Sequence, residues 1–216
     1  MSEEHCVMLE SVALASAEYS AAEVGSSGTP PIPAYLSETY WWAYLHPNAV
    51  RIFEREWLVN LILWGNMSRL TDAAIEELEP APRDSVLQLA CVYGDFSNRL
   101  AVHLASAPAA LHLLDIADIQ LQNARRKLAL HHNIHYHHQD ASALSFAPAS
   151  FSSTVLFFLL HEQPEAVRRR TLSEAIRVTS PGGKIIIVDY HGPTRLNPWR
   201  YLMRPILHWL EPFALD

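Results

Sequence analysis

Only two cysteines, Cys6 and Cys91, occur in the 216 residues. They are far apart and match no metal or redox spacing, which excludes a disulfide-stapled scaffold and points to a reducing compartment. Cys91 lies in an apolar stretch and reads as a small buried residue. Basic residues are also in deficit, 16 against 23 acidic ones, for a formal net charge of −7. That balance argues against a general nucleic-acid binder. The run Arg168, Arg169 and Arg170 does not overturn it, because it fits the exposed face of a helix. No stretch reaches the about 18–20 apolar residues that a membrane span requires. The opening "MSEEHCVMLE" is acidic and has no basic region leading into an apolar run, so it reads as neither a secretory signal nor a transit peptide. A protein that is soluble, or bound to a membrane surface, is expected. Half of the residues are hydrophobic, which supports one sizeable core.

Residues 1–33 are rich in Ala, Ser and Glu and end in "GSSGTPPIP", a composition that buries little and is expected to form a disordered tail. Residues 34–216 then form one domain, with a helical lid over 34–82 and an α/β core over 83–216. In the lid, Pro47 suits the first turn of a helix and Gly65-Asn66 a break. In the core, strands are expected near 86–91, 111–115, 134–138, 153–160 and 184–190, and helices near 95–106, 118–130, 164–179 and 195–210. The stretch "SPGGK", Ser180 to Lys184, reads as the turn feeding the last strand. Such alternation implies a doubly wound, mainly parallel Rossmann-like sheet with helices on both faces.

Glycine is scarce as well, seven in all, and its scarcity matters in one place. "VLQLACVYGDFS", Val86 to Ser97, is a strand running through a turn into a helix, where a nucleotide-binding fold places its Gly-rich loop. Ala90 and Val92 stand at two expected glycines, Gly94 remains, and Tyr93 sits beside it. A β-branched valine cannot enter the left-handed region without strain. The loop must therefore follow another path or hold a ligand further out, with the Tyr93 ring and hydroxyl at the mouth of the site. Gln88 puts a neutral amide, where an acid would favour a bound ammonium, in the strand that feeds the loop. A neutral amide favours that cation less and lowers its pKa. Asp115 ends the second strand, with Ile116 beside it, and is placed to accept hydrogen bonds from ribose hydroxyls. Asp140 and Ala141 follow the third strand, where an adenine edge can be read.

"LLHEQP" places His161 and Glu162 beyond the fourth strand, and "VDYHGP" places Asp189, Tyr190 and His191 at the end of the fifth. The carboxyl ends of neighbouring parallel strands border the ligand crevice. Imidazole with carboxylate suits a divalent ion such as Mn2+, so His161, Glu162, Asp189 and His191 are the candidate metal ligands. A His or Glu left free is a candidate general base. Each of these groups alone also has a plain reading as a helix cap or ion-pair partner.

Taken together, "VLQLACVYGDF", "LHLLDI", "HQDASAL" and "RVTSPGG" resemble class I S-adenosylmethionine-dependent methyltransferases over about 86–190. Adding "YWWAYLHPNAVRIFEREWLVNLILWGN", "FFLLHEQPEAVRRRTLSEA", "VDYHGP" and "YLMRPILHWLEPFALD", most of the chain after residue 34 is similar to the rhodoquinone-biosynthesis RquA family. That resemblance implies an enzyme that replaces a methoxy group of ubiquinone with an amino group. It further implies S-adenosylmethionine as amino donor, assisted by Mn2+ or another divalent metal. The implied site has Tyr93, His161, Glu162 and His191 as catalytic groups. Gln88, Ala90, Tyr93, Gly94, Asp115, Ile116, Asp140 and Ala141 would hold the cofactor. Methyl transfer to a quinone precursor uses the same fold and remains open, as does a non-catalytic binding subunit in which Ala90 and Val92 mark decay.

Two further patterns carry expectations. The five histidines of "LHHNIHYHHQD" straddle a helix end and a strand, where alternation sends neighbours to opposite faces, and read as a solvated sheet edge rather than a zinc site. Trp41, Trp42, Tyr44, Trp57 and Trp64, with Leu58, Leu61 and Ile62, exceed what one helix face needs. Trp199, Tyr201, Leu202, Met203, Ile206, Leu207, Trp209 and Phe213 recur beside Arg200 and Arg204. Most are expected in the core, but the mixture also suits an interfacial helix serving a lipid quinone. A cytoplasmic protein peripheral to the inner membrane is expected. The chain stops soon after its last expected helix, whereas class I sheets usually add two more strands, so an exposed edge needing cover is expected.

Overall fold

The computed structural model describes residues 30–63 and 65–189. The expected helix over 195–210 lies outside the described residues, as do residues 1–29 of the expected tail. Short helices come first: α1 (Ala34–Thr39), a π-helical turn (Trp41–Leu45), α2 (Pro47–Phe53), α3 (Glu56–Ile62) and α4 (Met67–Glu76). Pro47 opens α2, and the His46 side chain caps it by accepting from the Asn48 N–H at 3.2 Å. Gly65, at φ +80°, separates α3 from α4. On α4, Met67, Leu70, Thr71 and Ala74 are buried, the i, i+3, i+4, i+7 spacing that gives a helix one apolar face.

The core follows as β1 (Ser85–Leu89), α5 (Phe96–Ala105), β2 (Ala110–Asp115), α6 (Asp118–Lys127), β3 (Ile134–His138), β4 (Phe151–Phe157), α7 (Glu165–Val178) and β5 (Thr179–Val188). All adjacent strands pair in parallel, in the order β3-β2-β1-β4-β5. The expected doubly wound sheet is therefore present, and its switch point lies between β1 and β4. There the chain turns from building outward through β2 and β3 to building the other way. β1 and β4 are buried on both faces over Val86–Leu89 and Thr154–Phe157, which explains why apolar residues there do not alternate with exposed ones. One face packs Val86, Phe96, Leu100, Leu104 and Phe157 beneath α4 and α5. The other packs Leu87, Leu89, Leu156 and Val178 beneath α7. Each fully buried leucine contributes about 1.5–3 kcal/mol relative to an exposed one.

Two strand boundaries differ from expectation by more than two residues. β4 ends at Phe157 rather than running to 160, because Phe158 turns into the left-handed region at φ 55° and gives its N–H to the Val188 carbonyl at 2.7 Å. β5 begins at Thr179, so "SPGG" lies within the strand instead of forming a turn before it. The register shifts between Phe151 and Ser153, and Gly183 lies where any Cβ would meet the Ser152 carbonyl oxygen. Gly183 thus serves a close approach between strands at an irregularity, while Gly182 takes a left-handed turn at φ +82°.

The histidine-rich edge also differs. His112 of β2 and His135 and His137 of β3 share one face instead of dispersing. His112 Nδ1 lies 2.9 Å from His137 Nε2, and the His135 ring lies 4.7 Å from that of His112. Phe146 and Phe151 pack edge-on against His137 and His112. Burial, together with the neighbouring imidazoles, pushes the His112 pKa down to about 4. His112 and His137 are therefore a half-buried pair, while His135 beside them stays exposed at the sheet edge.

Candidate active site

β1 delivers the altered loop to the carboxyl side of the sheet, at the switch point. Ala90 adopts φ 71° and Gly94 φ 80°, while Val92 is not among the left-handed residues. The loop thus keeps the backbone path of its first and third glycine positions and straightens only at the second. Alanine in the left-handed region costs about 1–2 kcal/mol, and Ala90 bears that cost.

Gln88 is fully buried. Its Nε2 donates to the Ala90 carbonyl at 3.0 Å and to Ser97 Oγ at 2.9 Å, leaving Oε1 as a buried acceptor without a donor. Asp115, at the tip of β2, is buried with both carboxylate oxygens aimed at backbone. Oδ2 accepts from the Cys91 N–H at 2.7 Å and Oδ1 from the Ala117 N–H at 2.8 Å. Burial raises its pKa to about 6, against the lowering effect of those two N–H groups. The same burial, with Asp115 beside it, pushes the Cys91 thiol well above its usual range. The His138 ring bonds the Ile116 carbonyl at 2.9 Å, tying β3 to the β2–α6 loop. Asp140 Oδ1 caps the next turn through the Ser142 N–H, and Ala141 packs into the core with Leu87 and Leu89.

The amino-terminal helices close over this loop. Tyr93 is not open at the mouth of the site. Its ring stacks between Tyr44 (5.7 Å, 6°) and Phe53 (5.8 Å, 25°). Its hydroxyl donates to the Ala43 carbonyl and accepts from Gln120 Nε2, each at 2.7 Å. Gln120 also donates to the Tyr44 carbonyl at 3.0 Å. The Tyr44 hydroxyl donates to Glu162 Oε1. Tyr35 enters the same cleft: burial and the carboxylates of Asp140, Glu162 and Asp115 push its phenol upward, against a bond from the Gln163 side chain. Tyr35, Tyr44, Gln120 and Gln163 were absent from the expected site. A lone Gln on a helix and two tyrosines in an aromatic-rich segment carry no spacing that separates them from ordinary packing; only the fold brings them to Tyr93 and Glu162.

The β4 and β5 ends do converge. A short turn, Leu160–Glu162, presents a buried His161 whose Nδ1 lies 2.7 Å from Asp189 Oδ1. Asp189 Oδ2 accepts the N–H groups of Leu160 at 2.7 Å and His161 at 3.3 Å. With Nδ1–H donated to Asp189, Nε2 carries the lone pair, 3.8 Å from Glu162 Oε1. This is a carboxylate-oriented imidazole suited to proton acceptance. Arg168 supports the turn by donating to the Leu160 and Gln163 carbonyls at 3.0 and 3.2 Å, so it does not lie free on a helix face as its neighbours suggested. The expected metal centre does not form from these groups. His161 and Asp189 face each other, Glu162 accepts from Tyr44, and no cluster of three or more donors able to hold an ion occurs among the described residues. His191 lies outside them.

With this geometry in place, comparison with known proteins is direct. Residues 86–183 match the methyltransferase domain family, and the fold is the Rossmann-like methyltransferase fold. The demethylmenaquinone methyltransferase of Clavibacter sepedonicus is 32% identical over 133 residues, 62% of this chain and 52% of that protein. The ubiquinone/menaquinone biosynthesis C-methyltransferase UbiE of Blochmanniella floridana is 33% identical over 112 residues, covering 50% of this chain and 43% of that protein. The chain thus spans about half the length of these relatives. Among solved structures, an S-adenosylmethionine-dependent methyltransferase of Aquifex aeolicus superposes with a TM-score of 0.53 at 16% identity, covering 76% of this chain and 86% of that one.

The loop geometry gives a stability test. Ala90→Gly removes the left-handed penalty and is expected to raise stability by about 0.5–1 kcal/mol. Val92→Gly only loses packing and is expected to lower stability by about 1 kcal/mol or more. Urea midpoints read both, and a destabilised Ala90→Gly would contradict the strained path.

Proposed function

We propose that the chain uses S-adenosylmethionine to transfer a group to the ring of a lipid quinone, with methyl transfer to ring carbon as the primary reading. The observation that carries it is the buried Asp115 carboxylate at the tip of β2, beside a loop that retains left-handed turns at Ala90 and Gly94. The quinone methyltransferases among its relatives support the substrate class. In this reading Asp115 and Ile116 hold the ribose, Asp140 and Ala141 the adenine side, and Gly94, Tyr93, Ala90 and Gln88 the methionine end. The Gln88 Oε1 without a donor fits an N–H-bearing ligand group. S-adenosylmethionine supplies an electrophilic methyl group when bound. On the reduced, hydroquinone form of the acceptor, His161 Nε2 accepts the proton of a ring hydroxyl, and Asp189 stabilises the imidazolium. The adjacent ring carbon takes the methyl as S-adenosylhomocysteine leaves, and that carbon's hydrogen is then lost as the proton that restores the hydroxyl. Tyr44 and Glu162 orient the neighbouring wall, and the closed helices exclude water.

A second reading, amino transfer from S-adenosylmethionine in place of a ring methoxy group to give rhodoquinone, is favoured by one observation. The neutral Gln88 amide stands where an acid would otherwise hold the ligand amine as ammonium, and only the neutral amine is nucleophilic. The Mn2+ or other divalent ion that this reading calls for has no ready donor set among the described residues, so no step is derived through it.

One experiment separates the readings. The chain is incubated with S-adenosylmethionine labelled at both its α-nitrogen and its methyl carbon, with a demethylated quinone kept reduced by dithionite and with ubiquinone as acceptors, and the quinones are analysed by mass spectrometry. Methyl label in the demethylated quinone is expected. Nitrogen label in ubiquinone would establish amino transfer instead, and neither label would refute both.

We also place the protein at the cytoplasmic face of the inner membrane as a peripheral component. Trp41, Trp42, Trp57, Leu61 and Ile62, with Ile52 beside them, are exposed on the same helices that close the site, in a segment most of whose apolar side chains were expected in the core. No described helix is long and apolar enough to cross a membrane. Tryptophan with exposed aliphatic side chains suits the headgroup boundary. Flotation with phosphatidylethanolamine–phosphatidylglycerol vesicles should show binding, weakened about tenfold by Trp57→Ala with Leu61→Ala, since each loses one apolar anchor. Absence of binding would contradict the placement.

A further inference from the structure

Lys127 closes α6, and its ammonium makes three hydrogen bonds that join two parts of the site. It donates to the carbonyls of Val92 at 3.0 Å and Gly94 at 2.9 Å, the two residues flanking Tyr93. It also donates to Glu54 Oε1 at 2.7 Å, immediately after α2. Glu54 Oε2 takes a further bond from Asn123 Nδ2 at 2.6 Å, one turn earlier on α6. Both charged side chains are largely buried, at 18% and 22% exposure, where a paired charge is held tightly and an unpaired one is costly. Phe53, the neighbour of Glu54, forms one side of the stack around the Tyr93 ring.

We propose that Lys127 is a positioning residue that sets the altered loop and latches the helical cover to it through Glu54. A loop with glycines at every turn position needs no such brace to choose its path. Here Val92 cannot turn left-handed, and the two carbonyls on either side of Tyr93 are instead fixed by one cation. The same cation fixes the cover, so opening α2 to admit a ligand breaks the Glu54 bond while the loop stays braced. The proposal rests on the reading that this loop holds S-adenosylmethionine, but only for its loop half; the latch is a property of the chain alone.

Two readouts divide it. Limited trypsin cleavage after Arg51 and Arg55, both exposed, reports opening of the cover in the ligand-free chain, and calorimetric titration with S-adenosylhomocysteine reports the loop. Glu54→Gln should raise cleavage about tenfold and leave affinity within about threefold. Lys127→Met should raise cleavage similarly and also lower affinity about tenfold, and Lys127→Arg should recover the latch more fully than the loop. A core variant of matched thermal stability, such as Leu104→Ala, should change neither readout. Lys127→Met that leaves both readouts unchanged, or that shifts them no more than the matched core variant, would overturn the proposal. Failure of the parent chain to bind S-adenosylhomocysteine would refute the functional reading and the loop half with it, while the cleavage pattern still decides the latch.

Discussion

The carboxylate of Asp115 is the constraint around which the cleft is assembled. It is buried at the end of a central strand and accepts the N–H groups of Cys91 and Ala117, which belong to the two loops leaving β1 and β2. Without it those loops would have buried donors and no reason to face each other. Holding an anion there is costly: with the pKa raised to about 6, the folded chain binds a proton more readily than the unfolded one. Stability is therefore lost as pH rises from about 4 through 6, and the anion is retained at neutral pH at that expense. The two carboxylate oxygens answer the two N–H groups, which an amide with its single acceptor oxygen does not match, and their remaining lone pairs can accept from a ligand with donors to offer.

The rest of the site compensates for a loop that has lost two glycines. Ala90 keeps the left-handed turn, Val92 avoids it, and the Tyr93 ring packs outward onto Tyr44 and Phe53. That ring is held from above by Tyr44 and Phe53 and from the side by Gln120, so loop and cover form one packed unit. On the far side of the cleft the His161–Asp189 pair is fixed by backbone donors and by Arg168. The two halves meet where Tyr44 reaches Glu162, so closing the cover assembles both sides together.

Much of this was legible in the sequence for a physical reason. Central parallel strands are buried on both faces, so "SVLQL" and "FSSTVLF" read as strands without help, and their order fixed Asp115 and His161 at the carboxyl edge. The convergence of His161, Glu162 and Asp189 followed from the same rule. What the sequence concealed was the partner of each group. Asp189 reads as a metal ligand until its oxygens are found on His161 and two backbone N–H groups. His135 and His137 read as part of a solvated edge until the parallel register sets them on one face with His112 of β2. Gln120, Tyr44 and Lys127 act through contacts that span more than 25 residues of sequence, where no local period reports them. "SPGG" reads as a turn by composition, yet its glycine serves a strand approach.

The most direct measurement is the pH dependence of S-adenosylhomocysteine affinity between pH 5 and 8, for the parent chain and for Asp115→Asn. On the proposed reading ribose hydroxyls donate to the ionised carboxyl, so affinity should be level above pH 7 and fall toward about tenfold per unit once the pH drops below about 6. The asparagine variant should bind weakly with no such fall. Equal affinity for the two proteins, or a profile in the parent that ignores the pH 6 region, would contradict the assignment of Asp115 and the site built on it.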